Sequence, residues 1–108
     1  MDSVFSVTNA KSFTAYANTV YYCTYSTYGI YYLKYVASFS DQQSLYSNNS
    51  AATGSIYDIV GSTTTASVAT ITENEYDYNY GALGGVLAAY DYFTVTMTTN
   101  TYTGNWGN

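Results

Sequence analysis

Ile30-Tyr31-Tyr32-Leu33-Lys34-Tyr35-Val36-Ala37-Ser38-Phe39-Ser40 is the stretch on which the fold reading turns. Tyr31, Leu33, Tyr35, Ala37 and Phe39 share one parity, with Lys34, Ser38 and Ser40 on the other. Successive side chains of a strand point to opposite faces, so this alternation predicts a strand with one buried side. The segment before it, Phe13 to Tyr25, places Phe13, Ala15, Ala17, Tyr21, Cys23 and Tyr25 together, and Ser26-Thr27-Tyr28-Gly29 reads as the turn between the two. Together they predict a β-hairpin.

Outward from this hairpin, the same period recurs. Ser3 to Thr8 is a short N-terminal strand with Phe5 and Val7 on one face, and Ser55 to Val60 and Thr63 to Thr72 follow as strands. Leu87 to Thr99 places Phe93, Val95 and Met97 inward and Thr94, Thr96 and Thr98 outward. Asp41 to Gly54 loses the alternation and reads as the longest loop. Superposing the halves at an offset of 52 residues matches Tyr28-Gly29 to Tyr80-Gly81 and little else, so no repeat is read. About six to eight short strands with turns between them predict an all-β fold, a single-domain β-sandwich of jelly-roll type over residues 1–108.

Composition narrows the function. Leu, Ile, Val and Phe total 20 of 108 residues, a marginal supply for a core, and the 16 Tyr make up the deficit because each ring buries about 150–250 Å². Two lysines, no arginine and a net charge of −5 cannot neutralise a phosphate backbone, which argues against nucleic acid as a partner. No apolar run reaches the length of a membrane-spanning helix, and no signal peptide is visible at Met1-Asp2-Ser3. The absence of His excludes Ser–His–Asp and Cys–His nucleophile systems, and Cys23, the only cysteine, has no internal disulfide partner. No enzyme and no cofactor are read from this chain. Charged residues make up 8% of it, against about 25% in ordinary cytoplasmic domains, while Ser, Thr and Tyr supply 45 residues. Such a neutral, hydroxyl-rich surface suits a protein covered by its own neighbours, or one placed outside the cell.

Four features are candidates for function. Tyr21, Tyr22, Tyr25, Tyr28 and Tyr32 are too many for one buried face, and exposed aromatics are the usual anchors of interfaces. With Val4, Phe5 and Val7 of the N-terminal strand they form the expected subunit interface, and residues 1–10 are the segment available for exchange between copies. Glu73, Glu75 and Asp77 alternate, so an extended chain sets them side by side at roughly 7 Å intervals, with Asn79 as a further oxygen donor for Ca²⁺. A solvated acidic face is the favoured reading there, with no metal and with mutual repulsion raising the carboxyl pKa values. A row of hydroxyls at Thr94, Thr96 and Thr98 could order water as an ice-binding face does, but that needs several aligned rows, and one row reads as a β-branched solvent face. Asn48-Asn49-Ser50 is a glycosylation sequon with Asn48 as the acceptor, the mark of a glycoprotein.

The sequence-based expectation is therefore a self-assembling structural subunit of an extracellular filament, a cell-surface appendage or a viral shell (virion). Its partners are copies of itself, joined by β-strand addition and tyrosine-rich contacts. The alternative is a carbohydrate-binding module that meets a glycan with exposed tyrosines.

Overall fold

The computed structural model describes residues 3–25, 27–62, 66–91 and 93–107. Its short strands run in four successive coils. The first holds β1 (Phe5–Thr8), β2 (Ser12–Tyr16) and β3 (Thr19–Tyr21). The second holds β4 (Tyr31–Lys34), β5 (Ser38–Gln42), β6 (Leu45–Ser47) and β7 (Ser50–Ala51). The third holds β8 (Tyr57–Val60), β9 (Ser67–Thr72), β10 (Glu75–Asp77) and β11 (Tyr80–Gly81), and the fourth β12 (Leu87–Tyr90), β13 (Phe93–Thr98), β14 (Thr101–Thr103) and β15 (Trp106–Gly107). Each strand pairs in parallel with its counterpart one coil away, giving the sheets β1-β4-β8-β12, β2-β5-β9-β13, β3-β6-β10-β14 and β7-β11-β15. This is a parallel β-solenoid of about four turns.

The jelly-roll sandwich is thereby corrected, and so is the hairpin: Phe13 to Tyr25 and Ile30 to Ser40 belong to successive coils whose strands run parallel. The reason lies in single corner residues with positive φ. Asn9, Tyr35 and Asp91 stack at one corner, Ala17, Gln43, Glu73 and Thr99 at a second, and Tyr22, Asn48, Tyr78 and Gly104 at a third. One left-handed residue turns the chain and adds a step to the alternation, so inward positions are spaced by two and three in turn. Asp41, Ser44, Tyr46, Asn49 and Ala51 all point inward and are buried on that rhythm, which a strict period of two cannot register. Asp41 to Gly54 is accordingly the end of β5, then β6 and β7 with corners at Gln43 and Asn48, rather than a loop.

The repeat is real as well. Phe5 pairs with Tyr31 and Tyr31 with Tyr57, 26 residues apart each time, but Tyr57 pairs with Leu87, 30 residues on. Extra residues between Val60 and Ser67 of the third coil shift everything that follows. An offset of 52 thus holds for β1 against β8 and fails for the strands that follow: the true partner of Tyr80 is Ser50, which bridges to Thr24, and Tyr28-Gly29 is not the counterpart of Tyr80-Gly81.

Stacking the coils makes rows of like residues inside. Phe5, Tyr31, Tyr57 and Leu87 form one, Phe13, Phe39, Ala69 and Val95 another, and Val20, Tyr46, Tyr76 and Tyr102 a third. Ring planes within a row are nearly parallel, as at Tyr31 and Tyr57 (5.5 Å between centroids, 14°) and Tyr46 and Tyr76 (5.6 Å, 15°). Tyr25, Tyr31, Tyr46, Tyr57 and Tyr76 are therefore part of the core, supplementing aliphatic residues such as Ile30, Leu33, Ile59 and Ile71.

Candidate functional site

Two polar systems line the interior, and the first runs on to the ends of the stack. The first is a pair of ladders. Backbone N–H groups of Asn18, Ser44 and Asn74 donate to the side-chain oxygens of Ser44, Asn74 and Asn100, each one coil on (3.1, 2.8 and 2.9 Å). Cys23, Asn49 and Asn79 do the same to Asn49, Asn79 and Asn105 (3.1, 3.0 and 2.9 Å). The Nδ2 groups reach back: Asn74, Asn100, Asn49, Asn79 and Asn105 donate to the carbonyls of Asp41, Ile71, Val20, Tyr46 and Tyr76. Corner backbone that no strand satisfies is paired in this way, which is what permits it to be buried.

The second system surrounds Asp41, which takes a position held by Ala15, Ile71 and Met97 in the other coils and is fully buried. Its carboxylate accepts from the hydroxyls of Ser44 (2.7 Å), Tyr46 (2.5 Å) and Tyr57 (2.6 Å). With those protons committed, Tyr31 donates to Tyr46 and Tyr76 to Tyr57, each at 2.6 Å. Burial, above all, pushes the phenols of Tyr31, Tyr46, Tyr57 and Tyr76 well above their ordinary range, and the nearby Asp41 charge adds to this. Sealed from solvent, the network joins the second and third coils and acts as a structural strut.

The coil ends differ from this closed interior. In the middle coils Tyr31, Phe39, Tyr46, Tyr57 and Tyr76 are at most 1% exposed, but in the last coil Tyr102 is 50% exposed although it stacks on Tyr76 (5.2 Å, 12°). Val95, Met97 and Leu87 are half-buried beside it, and at the opposite end so are Phe5, Val7, Phe13 and Val20. Among the described residues, β1, β2 and β3 pair on one side only, as do β12, β13, β14 and β15. Each end thus presents unpaired strand edges around an apolar, uncharged interior.

The sequence-derived candidates fall in several places. Phe5 and Val7 point into the first coil and Val4 is exposed beside them, while β1 itself is hydrogen-bonded to β4 of its own chain. Tyr21 and Tyr22 are exposed, and Tyr28 stacks on Tyr32 (3.8 Å) on the outside. Tyr25 lies inside, 3% exposed, next to Cys23 and on the side of Phe13 and Ala15 that alternation gives it, so only its place among the surface contacts is corrected. Glu75 and Asp77 share the outer face of β10, whereas Glu73 sits at a corner, accepting from Gln42 (3.0 Å), and Asn79 is buried in its ladder, turned away from the other three. Among the described residues no group of three acidic or cysteine side chains could hold a metal ion. Asn48 is at an exposed corner.

Sequence reasoning missed the ladders and Asp41. A signal existed: Ser44-Leu45-Tyr46-Ser47-Asn48-Asn49, Asn74-Glu75-Tyr76-Asp77-Tyr78-Asn79 and Asn100-Thr101-Tyr102-Thr103-Gly104-Asn105 share one pattern at the coil spacing. The threonine row also gains company. Ser12, Ser38, Val68 and Thr94 stand in one rank, Thr14, Ser40, Thr70 and Thr96 in a second, and Tyr16, Gln42, Thr72 and Thr98 in a third, all on the outer face of β2, β5, β9 and β13.

The fold and its ends define a short parallel β-solenoid with open coil faces. Compared with family models, curated proteins and solved structures, the chain matches none.

Proposed function

We propose that this chain is a structural subunit that assembles end to end, the first coil of one copy adding its strands to the last coil of another. The open, uncharged coil faces carry this reading: the edges of β1, β2 and β3 are the counterparts, strand for strand, of the edges of β12, β13 and β14. Four coils at about 4.8 Å each account for the shortest molecular dimension of 21 Å, which leaves a cross-section of 35 by 27 Å. Joining two such faces covers roughly 700 Å² on each, within the range of specific interfaces. Unprotected parallel edges of this kind pair readily. The low charge and neutral hydroxyl surface favour a setting outside the cell, as a filament or surface layer.

Sedimentation and negative-stain electron microscopy of the purified chain test this. Concentration-dependent filaments are expected, and Tyr102→Glu, which puts a charge on the open face of the last coil, should abolish them while circular dichroism still reports a folded chain; Tyr102→Phe, which keeps the stack on Tyr76, should not. A monomer at all concentrations, or filaments unaffected by Tyr102→Glu, would overturn the proposal.

A second reading is favoured by the aligned ranks. The outer face of β2, β5, β9 and β13 has no charged side chain, and ten of the twelve residues in its three ranks carry a hydroxyl, spaced by about 4.8 Å between strands and about 6.6 Å along them, the several aligned rows that ordering water requires. Partition of the protein into growing ice, compared with Thr70→Lys, decides whether this face orders water. Exclusion of the unaltered protein from ice would remove the reading.

A further inference from the structure

We propose that both asparagine ladders continue through the junction between copies, so that Asn18 of one copy stands on Asn100 of the next and Cys23 on Asn105. This rests on the end-to-end reading above and deepens it by specifying polarity and register.

Within the chain, every asparagine rung obeys one rule, and Ser44 keeps only its first half. A backbone N–H of one coil donates to the side chain of the next, and that side chain's Nδ2 donates back to a carbonyl of the preceding strand. At the last coil the rule leaves two donors, the N–H groups of Asn100 and Asn105, and two acceptors, the carbonyls of Met97 and Tyr102, for which no side chain of a following coil is available among the described residues. At the first coil Asn18 is the mirror case. With no described coil behind it, its Nδ2 turns to the Tyr31 hydroxyl (3.2 Å), and its Oδ1 has no donor among the described residues. Asn18 on Asn100 satisfies both ends by the same rule. In the second ladder the rung is Cys23, whose thiol can neither accept as an amide oxygen does nor supply a second N–H, so this rung is the weak one. A junction of the opposite polarity, first coil on first coil, would set two inward side chains of the same sense against each other with no N–H left for them.

The register predicts which outer residues become neighbours. The rank Thr14, Ser40, Thr70, Thr96 would run on from Thr96 of one copy to Thr14 of the next, at the inter-strand distance of about 4.8 Å, inside the Cα separation a disulfide spans. In a Cys23→Ser background, Thr14→Cys with Thr96→Cys should yield covalent multimers on mild oxidation. Thr14→Cys with Thr98→Cys, about 8 Å apart in this register, should not. Thr70→Cys with Thr96→Cys is the control, since these two are neighbours in one chain and show that oxidation bridges this spacing. Independently, Cys23→Asn completes the weak rung and should lower the protein concentration at which filaments appear.

If the unaltered chain makes no filaments, the end-to-end reading fails. If filaments form and the control pair bridges, but the Thr14 and Thr96 pair does not, the register is wrong while the reading stands. Filament formation unchanged by Cys23→Asn would overturn the ladder as the determinant of the junction.

Discussion

Raising the pH should unfold this protein abruptly, because its core is built of phenols. Tyr31, Tyr46, Tyr57 and Tyr76 have no exposed surface, and their hydroxyls are spent on each other and on Asp41. Burial raises the folded pKa of each above the unfolded value of about 10. Below that value both states keep their protons and the stability is intact. Above it the unfolded chain releases protons that the folded one holds, so stability falls as pH rises, by about 1.4 kcal/mol per unit for each group. Four groups together lose roughly 5.5 kcal/mol per pH unit, against a total of about 5–15 kcal/mol for a domain of this size. The fold should therefore collapse within about one to three units above pH 10. Circular dichroism and tyrosinate absorbance, followed together, are the assay: ionisation of the buried phenols should coincide with loss of the β signal. Tyr76→Phe removes one titrating group and should make the decline shallower. Smooth ionisation of all 16 tyrosines with the β signal unchanged would show that the interior is open to water and refute the reasoning.

Asn79→Ala strips a buried rung and leaves the Asn49 N–H, the Asn49 Nδ2 and the Tyr46 carbonyl short of a partner, for a loss of about 3–6 kcal/mol in urea denaturation. Asn48→Ala, one residue from that ladder but exposed and at a corner, should cost no more than about 2 kcal/mol. At Gly54 a Cβ would come within 2.3 Å of the Tyr57 carbonyl oxygen and 2.7 Å of the Ala88 nitrogen, so Gly54→Ala should lower the melting temperature far more than Gly85→Ala, whose nearest contacts are at 3.0 Å. Asp77 raises the pKa of Glu75 by sharing a hydrogen bond and by like-charge repulsion. Asp77→Asn should move the Glu75 titration, followed by NMR, back toward the ordinary carboxyl range, and an unmoved titration would show that the two groups are apart in solution.

Strand content and the inward faces of single strands were legible in the residues themselves. Phe5 with Val7, Tyr31 with Leu33, and Val95 with Met97 face the core as alternation requires, because alternation is a property of one extended segment. Glu75 beside Asp77 was legible for the same reason. What lay beyond sequence reading was how one segment meets the next. A single left-handed residue such as Ala17, Tyr22 or Gln43 redirects the chain and shifts the alternation by one, yet none of these residue types announces a positive φ. Without those corners Tyr21 shares a face with Phe13, Asp41 falls in a loop and Asn79 on an acidic face. Only stacking in register, across a sequence spacing that changes between β8 and β9, brings Asp41 to Tyr57 and aligns the asparagines, since those contacts join residues 16 to 33 positions apart in sequence. Local chemistry made this chain a β protein; the free energy of burying phenols and amides against the neighbouring coil made it a solenoid.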